Sequence, residues 1–135
     1  MKVFNVLSLI GGMFGGLIAS VLGGFDKILI GLIIVIVLDY LTGLIKGIVT
    51  KKLSSAVGFK GLLKKILILI VVAVAVVIES IVGEVIPLRE VVIMFFICNE
   101  AISLLENASE FIPIPEKLKS VLIQLRDKND NQETK

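Results

Sequence analysis

The stretch ILILIVVAVAVVIESIVGEVI, residues 66–86, decides the fold, because its first thirteen residues are all apolar. About 20 residues of α-helix are needed to cross the ~30 Å hydrocarbon core of a bilayer. A second run of this kind occupies residues 28–48, and 56% of the whole chain is hydrophobic. Soluble domains contain about 45–50% apolar residues. The sequence therefore predicts an all-α integral membrane protein.

Two weaker runs flank this pair. Residues 3–25 are uncharged and rich in glycine, whereas residues 91–107 are shorter and carry acidic groups. The short run lacks the apolar margin to insert alone, so we expect it to enter as a hairpin with the run before it. The prediction is three to four transmembrane helices, with residues 1–25 as a glycine-rich apolar segment and residues 26–110 as the transmembrane core. The alternative to four spans is three, with the first run lying in the interface or packed peripherally.

Three acidic residues, Asp39, Glu79 and Glu100, lie well inside these runs. An acid near the bilayer centre costs roughly 2.5–3.5 kcal/mol on insertion scales, so such residues usually face an interior or water. Thr42 shares a helix face with Asp39, and Ser103 shares one with Glu100. These five polar side chains either join helix to helix by hydrogen bonds or line a water path after assembly, and the sequence leaves both interpretations open.

Lysines predict the orientation of the chain. Residues 46–65 form a connector that contains no acid and six lysines: Lys46, Lys51, Lys52, Lys60, Lys64 and Lys65. Short loops rich in Lys and Arg stay on the cytoplasmic side. We therefore expect the connector to be cytoplasmic, the hairpin that contains Glu84 and Pro87 to lie outside, and both termini of a four-span protein to be cytoplasmic.

Small residues recur every four positions in the first run. On a helix this spacing makes a smooth ridge that lets another helix approach closely. Gly43 and Gly47 have the same spacing in the second run, and we assign all of these residues to helix packing. The members of the first row are Gly12, Gly16, Ser20 and Gly24. A flexible, weakly helical stretch and a cleaved signal peptide are the alternatives for residues 1–25.

The region after the core breaks and then resumes a helical pattern. Pro113 and Pro115 interrupt the preceding helix. Apolar residues at helical spacing follow, and they predict a short cytoplasmic amphipathic helix within residues 111–125, on the membrane surface or against a sister subunit. Residues 126–135 contain no apolar side chain, so we expect a charged, disordered tail.

Composition excludes several classes of function. The chain has no His, and its only cysteine is Cys98, so the sequence offers neither an internal disulfide nor a zinc site. It contains no catalytic pair and no glycine-rich phosphate loop. The net charge of +2 is too small to indicate nucleic-acid binding. We expect no enzymatic activity, no cofactor and no metal.

Five blocks of the chain together resemble one known family, the phage holins grouped as the toxin-secretion/phage-lysis family. They occur in order between residues 38 and 118. The blocks are LDYLTG at 38–43, KKLSS at 51–55, GFKGLLKK at 58–65, NEAISLLEN at 99–107 and PIPEKL at 113–118. The resemblance places Asp39 and Glu100 at family-motif positions, whereas Glu79 and the early glycines rest on the physical argument alone.

The resemblance implies a small multi-pass protein of the bacterial cytoplasmic membrane. Such proteins form homo-oligomers and open timed lesions that release an endolysin, or in related cases a toxin, and so cause host lysis. The endolysin would be a functional partner without direct contact, and an antiholin is a further possible partner. Two other functions remain open from the residues. One is a small ion or proton channel or transporter subunit, and the other is a non-conducting antiholin or membrane scaffold.

Overall fold

The computed structural model describes residues 1–83 and 85–133, and this part of the chain folds into five α-helices without a strand. They are α1 (Lys2–Val21), α2 (Lys27–Val49), α3 (Ser55–Val82), α4 (Leu88–Ser109) and α5 (Glu116–Glu133). Glu84, which the orientation argument counted in the outer hairpin, lies outside the described residues. The all-helical prediction is confirmed.

The centre of the molecule is a bundle of α2, α3 and α4. Its core consists of branched aliphatic side chains, among them Leu29 and Leu32 of α2, Val72 of α3 and Ile93 of α4, all of which are fully buried. Leu and Ile pack well on helix faces because their shapes fill the space between ridges. This core holds three helices side by side, so polar groups on their facing surfaces must meet one another.

The first helix is different, because none of its residues is buried. Nothing in this chain lies within 4 Å of a Cβ built on Gly12 or Gly16. Helix α1 joins the bundle only through the turn at its C-terminal end, where Leu22 enters the core. Its apolar surface is therefore left to lipid or to another protein chain.

Three helices are long and apolar enough to cross a membrane, namely α1, α2 and α3. Helix α4 has 22 residues but is not among them. Its inner surface packs against α2 and α3. This packing agrees with insertion of α4 into the membrane as a hairpin with α3. The number of spans stays a prediction. The three-span alternative placed the second, third and fourth runs across the membrane and set the first run apart. The three helices that are long and apolar enough are instead those of the first, second and third runs.

Several element boundaries differ from the sequence prediction. Only residues 50–54 of the lysine-rich connector are outside helices, because α3 begins at Ser55, where the Ser54 hydroxyl accepts a hydrogen bond from the Val57 amide at 3.2 Å. Helix α1 ends at Val21, so Gly24 is not on its ridge but in a turn, with φ +99°. The row of small residues on α1 therefore ends at Ser20.

The C-terminal helix is longer than expected. It begins at Glu116 instead of near residue 111 and continues to Glu133, so the prediction of a disordered tail is wrong for residues 126–133. Residues 134 and 135 lie outside the described residues. The reason for the longer helix is packing, since α5 runs back along α4 and Arg126 reaches the Asn99 side chain at 3.5 Å. The composition of residues 126–135 does not reveal that contact, because Asn99 lies 27 residues away in sequence.

Candidate functional site: two charged clusters inside the bundle

The first cluster joins one charged residue from each helix of the bundle. The Lys65 ammonium of α3 donates hydrogen bonds to the carboxylates of Asp39 in α2 and Glu100 in α4. The side chains of the two acids are each 6% exposed and that of the lysine is 16% exposed. We call this group the lysine triad. It converts two isolated intramembrane acids into partners of one cation.

Helix geometry explains how Lys65 reaches the acids. It lies ten residues after Ser55, or about 15 Å along α3 at 1.5 Å per residue. Lys64, its neighbour in sequence, is exposed on another face of the helix. Lys65 therefore belongs to the interior of the bundle. The prediction grouped it with the connector lysines that set orientation, whereas the structure pairs it with Asp39 and Glu100.

A polar network extends the triad. The Asn107 amide donates to Asp39 Oδ1 at 3.1 Å and to the Thr42 hydroxyl at 3.2 Å. Thr42 Oγ1 donates in turn to the Asp39 backbone carbonyl at 2.9 Å. Both carboxylate oxygens of Asp39 are thus occupied, one by Lys65 and the other by Asn107. A buried charge is tolerated when it is paired and hydrogen-bonded in this way.

A cavity of about 180 Å³ lies beside the triad and extends toward the lysine-rich connector. Asp39, Lys65, Ser103 and Asn107 contribute to its wall. Apolar residues form most of the wall, but these four polar side chains give a water in this space hydrogen-bond partners. Ser103 therefore lies beside the triad, as the other predicted polar residues do. The triad borders a recess that these polar side chains help to line, and it is not enclosed in a dry core.

The second cluster lies at the other end of the bundle, around the buried guanidinium of Arg89. Its Nη1 and Nη2 atoms donate to the two carboxylate oxygens of Asp26 at 2.7 and 3.1 Å. Its Nε donates to the Leu22 carbonyl at 2.7 Å, and Nη2 also donates to the Gly24 carbonyl at 3.0 Å. We call this group the arginine cluster. It ties the turn between α1 and α2 to the start of α4.

Glu79 belongs to this second cluster and not to the first. Its carboxylate accepts a hydrogen bond from the Arg89 backbone amide at 2.9 Å. That amide is in the first turn of α4, where N–H groups lack partners within the helix and negative charge is favoured. Glu79 therefore caps α4 from the end of α3. The structure separates it from Asp39 and Glu100, which it brings together.

Asp26 has two tasks in the arginine cluster. Besides binding Arg89, it caps α2, because its carboxylate accepts a hydrogen bond from the Leu29 amide at 3.1 Å. The bond to the Arg89 side chain is the main reason that the pKa of Asp26 is lowered, and the Leu29 amide lowers it further against the opposing effect of burial. The ionised form is thus the one that the fold favours.

Stability should consequently depend on pH through Asp26. Because its pKa is lower in the folded state than its ordinary value of 3.8, its contribution is complete above that value and is lost as pH falls through the folded pKa. Asp26→Asn keeps the helix cap but removes the charge. Since the side chain is 48% exposed, we expect a loss of at most about 1 kcal/mol near neutral pH. Thermal unfolding in detergent should show the two proteins converging as the pH falls below 3.8, and a constant difference would contradict this assignment.

Four of the five predicted polar residues come together, namely Asp39, Thr42, Glu100 and Ser103. The sequence interpretation missed Lys65 as their partner, and it also missed Asn107 and the whole arginine cluster. One signal was available, because two acids at matching depth in an apolar bundle require a nearby cation. The other residues assigned to orientation stay near the connector, and one of them, Lys46, pairs with Glu110 at 3.5 Å.

The glycines assigned to helix packing behave in two ways. A Cβ on Gly43 would lie 3.6 Å from the Asn107 amide, and one on Gly47 would lie 3.2 Å from the Leu53 side chain. These two glycines therefore permit close approach within the chain. Among the described residues, no side chain of another helix lies within 4 Å of a Cβ placed on Gly12 or Gly16, so the packing role of this row stays a prediction about another molecule.

No metal centre accompanies these clusters. Among the side chains that the structure describes, no three His, Cys, Asp or Glu residues are grouped where they could hold an ion. Cys98, the single cysteine, is buried in α4 as a free thiol. The charged groups of this molecule are thus arranged to pair with one another across helices.

Fold and clusters together define a class, namely a small helical membrane protein whose intramembrane charges are paired between helices. Comparison with known families gives the identification: the chain belongs to the bacteriophage holin family, whose model matches residues 16–127. That family is not an enzyme family.

Related proteins occur in Clostridium and Listeria. An uncharacterized 14.9 kDa protein encoded in the nagH 3′ region of Clostridium perfringens is 45% identical over 84% of this chain and 88% of its own length. An uncharacterized protein of Listeria innocua is 37% identical over 100% of this chain and 96% of its own length. No solved structure gives a significant match.

Proposed function

We propose that this protein acts as a holin, which assembles in the cytoplasmic membrane of a bacterial host and opens timed lesions that release an endolysin or a toxin. The observation that carries the proposal is the match to the bacteriophage holin family over residues 16–127. The endolysin would cross the lesion without binding this chain. An antiholin that delays opening is compatible with the same role.

The charge arrangement supports a requirement for several chains. In one chain the lysine triad is closed, because both acids face Lys65 within the bundle. A single bundle therefore offers a polar recess of about 180 Å³, which is far too small to pass a folded enzyme. A lesion needs polar walls supplied by many chains, with α2, α3 or α4 turned or separated so that these polar groups face water.

The exposed surface of α1 supports the same requirement. A helix that is apolar all round and unburied in its own chain is stable only in lipid or against other helices. Its small residues allow van der Waals packing of two backbones, which is the main attraction between helices in a bilayer. We propose α1 as a part of the surface through which copies of the protein meet.

The test is inducible expression in a bacterium, with membrane potential and leakage of a large cytosolic enzyme followed in the same culture. A holin should leave the potential intact during a delay, then abolish it abruptly and release the enzyme. The Asp39→Asn variant in the same assay shows whether the charge of this residue affects the timing of opening. Graded ion conductance without enzyme release would contradict the proposal and favour a channel. Delay of lysis by a second holin, with no lesion of its own, would favour an antiholin.

A further inference from the structure

A groove between α2 and the first turns of α3 has no part in the lesion mechanism above. Its volume is about 650 Å³, and apolar side chains dominate its wall, among them Leu44, Leu53, Phe59 and Leu62. Phe59 is 63% exposed and Leu62 is 45% exposed, so no part of this chain covers them. The volume lies within the range of small-molecule sites.

Two lysines adjoin the groove in the sequence. Lys51 and Lys52 directly precede Leu53 and Ser54, which both contribute to the wall. The two lysines are exposed, and neither forms an ion pair with a residue that the structure describes. The chain has no acidic residue between Lys46 and Lys65 that could neutralise them. An apolar groove with two unneutralised lysines next to its wall residues is complementary to an amphiphile with an anionic head.

We infer that this groove binds one anionic phospholipid, with an acyl chain along α2 and α3 and the phosphate at Lys51 and Lys52. A phospholipid is the occupant that fits, because the groove opens on the flank of two apolar helices and the lysines lie at their membrane-surface end. Each basic residue near an anionic membrane surface strengthens binding roughly fivefold. Loss of both lysines should therefore weaken binding roughly thirtyfold.

The helix provides a matched control for diffuse attraction. Ser55, Gly58, Phe59 and Leu62 lie at positions i, i+3, i+4 and i+7 and so share one face of α3. Lys60 and Lys64 fall on the opposite face, since each residue advances by about 100°. Removing them takes away the same amount of charge from the first turns of α3, close to Lys51 and Lys52, without touching the groove wall.

The experiment uses the full chain in a mild detergent, with bound lipid counted by native mass spectrometry during titration with phosphatidylglycerol or phosphatidylcholine. K51Q/K52Q should weaken phosphatidylglycerol binding roughly thirtyfold and phosphatidylcholine binding much less, since choline balances the charge of its phosphate, whereas K60Q/K64Q should change either by less than about threefold. Equal losses in the two double variants would overturn the site, because they would indicate diffuse attraction.

A second pair of variants tests the groove itself. F59A/L62A should weaken both lipids alike, whereas L67A/V71A, which removes exposed apolar side chains from the opposite face of α3, should not. Soluble glycerol phosphate should not compete at the concentrations of lipid used, and effective competition would identify a free phosphate site and overturn the lipid assignment. The binding measurement does not involve lysis, so failure of the lesion proposal and failure of this site are distinguishable.

Discussion

Replacing Lys65 with methionine is expected to be among the most destabilising single changes in this protein, by about 3–5 kcal/mol. The change leaves the Asp39 and Glu100 carboxylates facing each other without their shared cation. Removing one partner of a buried ion pair costs far more than the pair contributes, because an uncompensated charge stays buried. Methionine has a similar length and is cheaper to insert than lysine, so any loss is attributable to the acids. Unfolding in detergent, followed by circular dichroism, measures the effect.

Lys64 and the two acids provide the controls. Lys64→Met removes the neighbouring charge from an exposed position that pairs with no described residue, and we expect a change within about 0.5 kcal/mol. The triple variant K65M/D39N/E100Q replaces the whole triad with neutral groups and should recover most of the lost stability, since a buried ionic group can often be neutralised as a unit. If Lys65→Met and Lys64→Met unfold alike, the triad is not a structural element.

The triad also shows how far the sequence could predict the site. An acid inside an apolar run is recognisable from the sequence alone, because its cost of insertion makes it rare. The partner itself is harder to predict. Lys64 and Lys65 are adjacent in a basic segment, and a rotation of about 100° separates an exposed lysine from one that enters the bundle. Only the packing of α3 on α2 and α4 decides between them.

Helix boundaries illustrate a related limit. The change from polar to apolar residues near position 66 marks where the membrane begins, but helix propensity does not fall there, since Leu and Lys both favour helices. Helix α3 therefore starts eleven residues earlier, at Ser55. The C-terminal helix likewise continues through residues 126–133, because it packs against α4. In both places composition correctly indicates a polar environment, but it does not predict that the backbone is helical.

The second large effect is expected at Arg89, whose replacement with methionine should cost about 3 kcal/mol. The change removes four hydrogen bonds, to the carbonyls of Leu22 and Gly24 and to both oxygens of Asp26. These partners lie 63 to 67 residues away in sequence, which is why no local pattern predicts them. Arg89→Lys should recover only part of the loss, because an ammonium lacks the planar fork that contacts several acceptors at once.

Hydrogen exchange and the second arginine of the chain make this prediction specific. In Arg89→Met, the Leu29 amide that Asp26 caps should exchange faster, as the turn between α1 and α2 loosens. Arg126→Met is the matched control. Arg126 makes a long contact of 3.5 Å with Asn99 and an ion pair with the neighbouring Asp127, and its side chain is more exposed than that of Arg89. We expect it to change stability by less than about 1 kcal/mol. A comparable loss in both variants would show that the arginine cluster has no special role.

Two adjacent glycines in the turn between α1 and α2 allow the effect of contact with Arg89 to be distinguished from the effect of backbone strain. Gly23 and Gly24 both have positive φ, so alanine strains the backbone at either position. A Cβ on Gly23 would also lie 2.8 Å from Arg89 Cδ, whereas one on Gly24 meets nothing within 4 Å. Gly23→Ala should therefore be the more destabilising, by about 1–2 kcal/mol. In the Arg89→Met background that excess should shrink, because the clashing guanidinium is gone and the two changes are coupled. An excess that persists without Arg89 would place the strain in the turn itself.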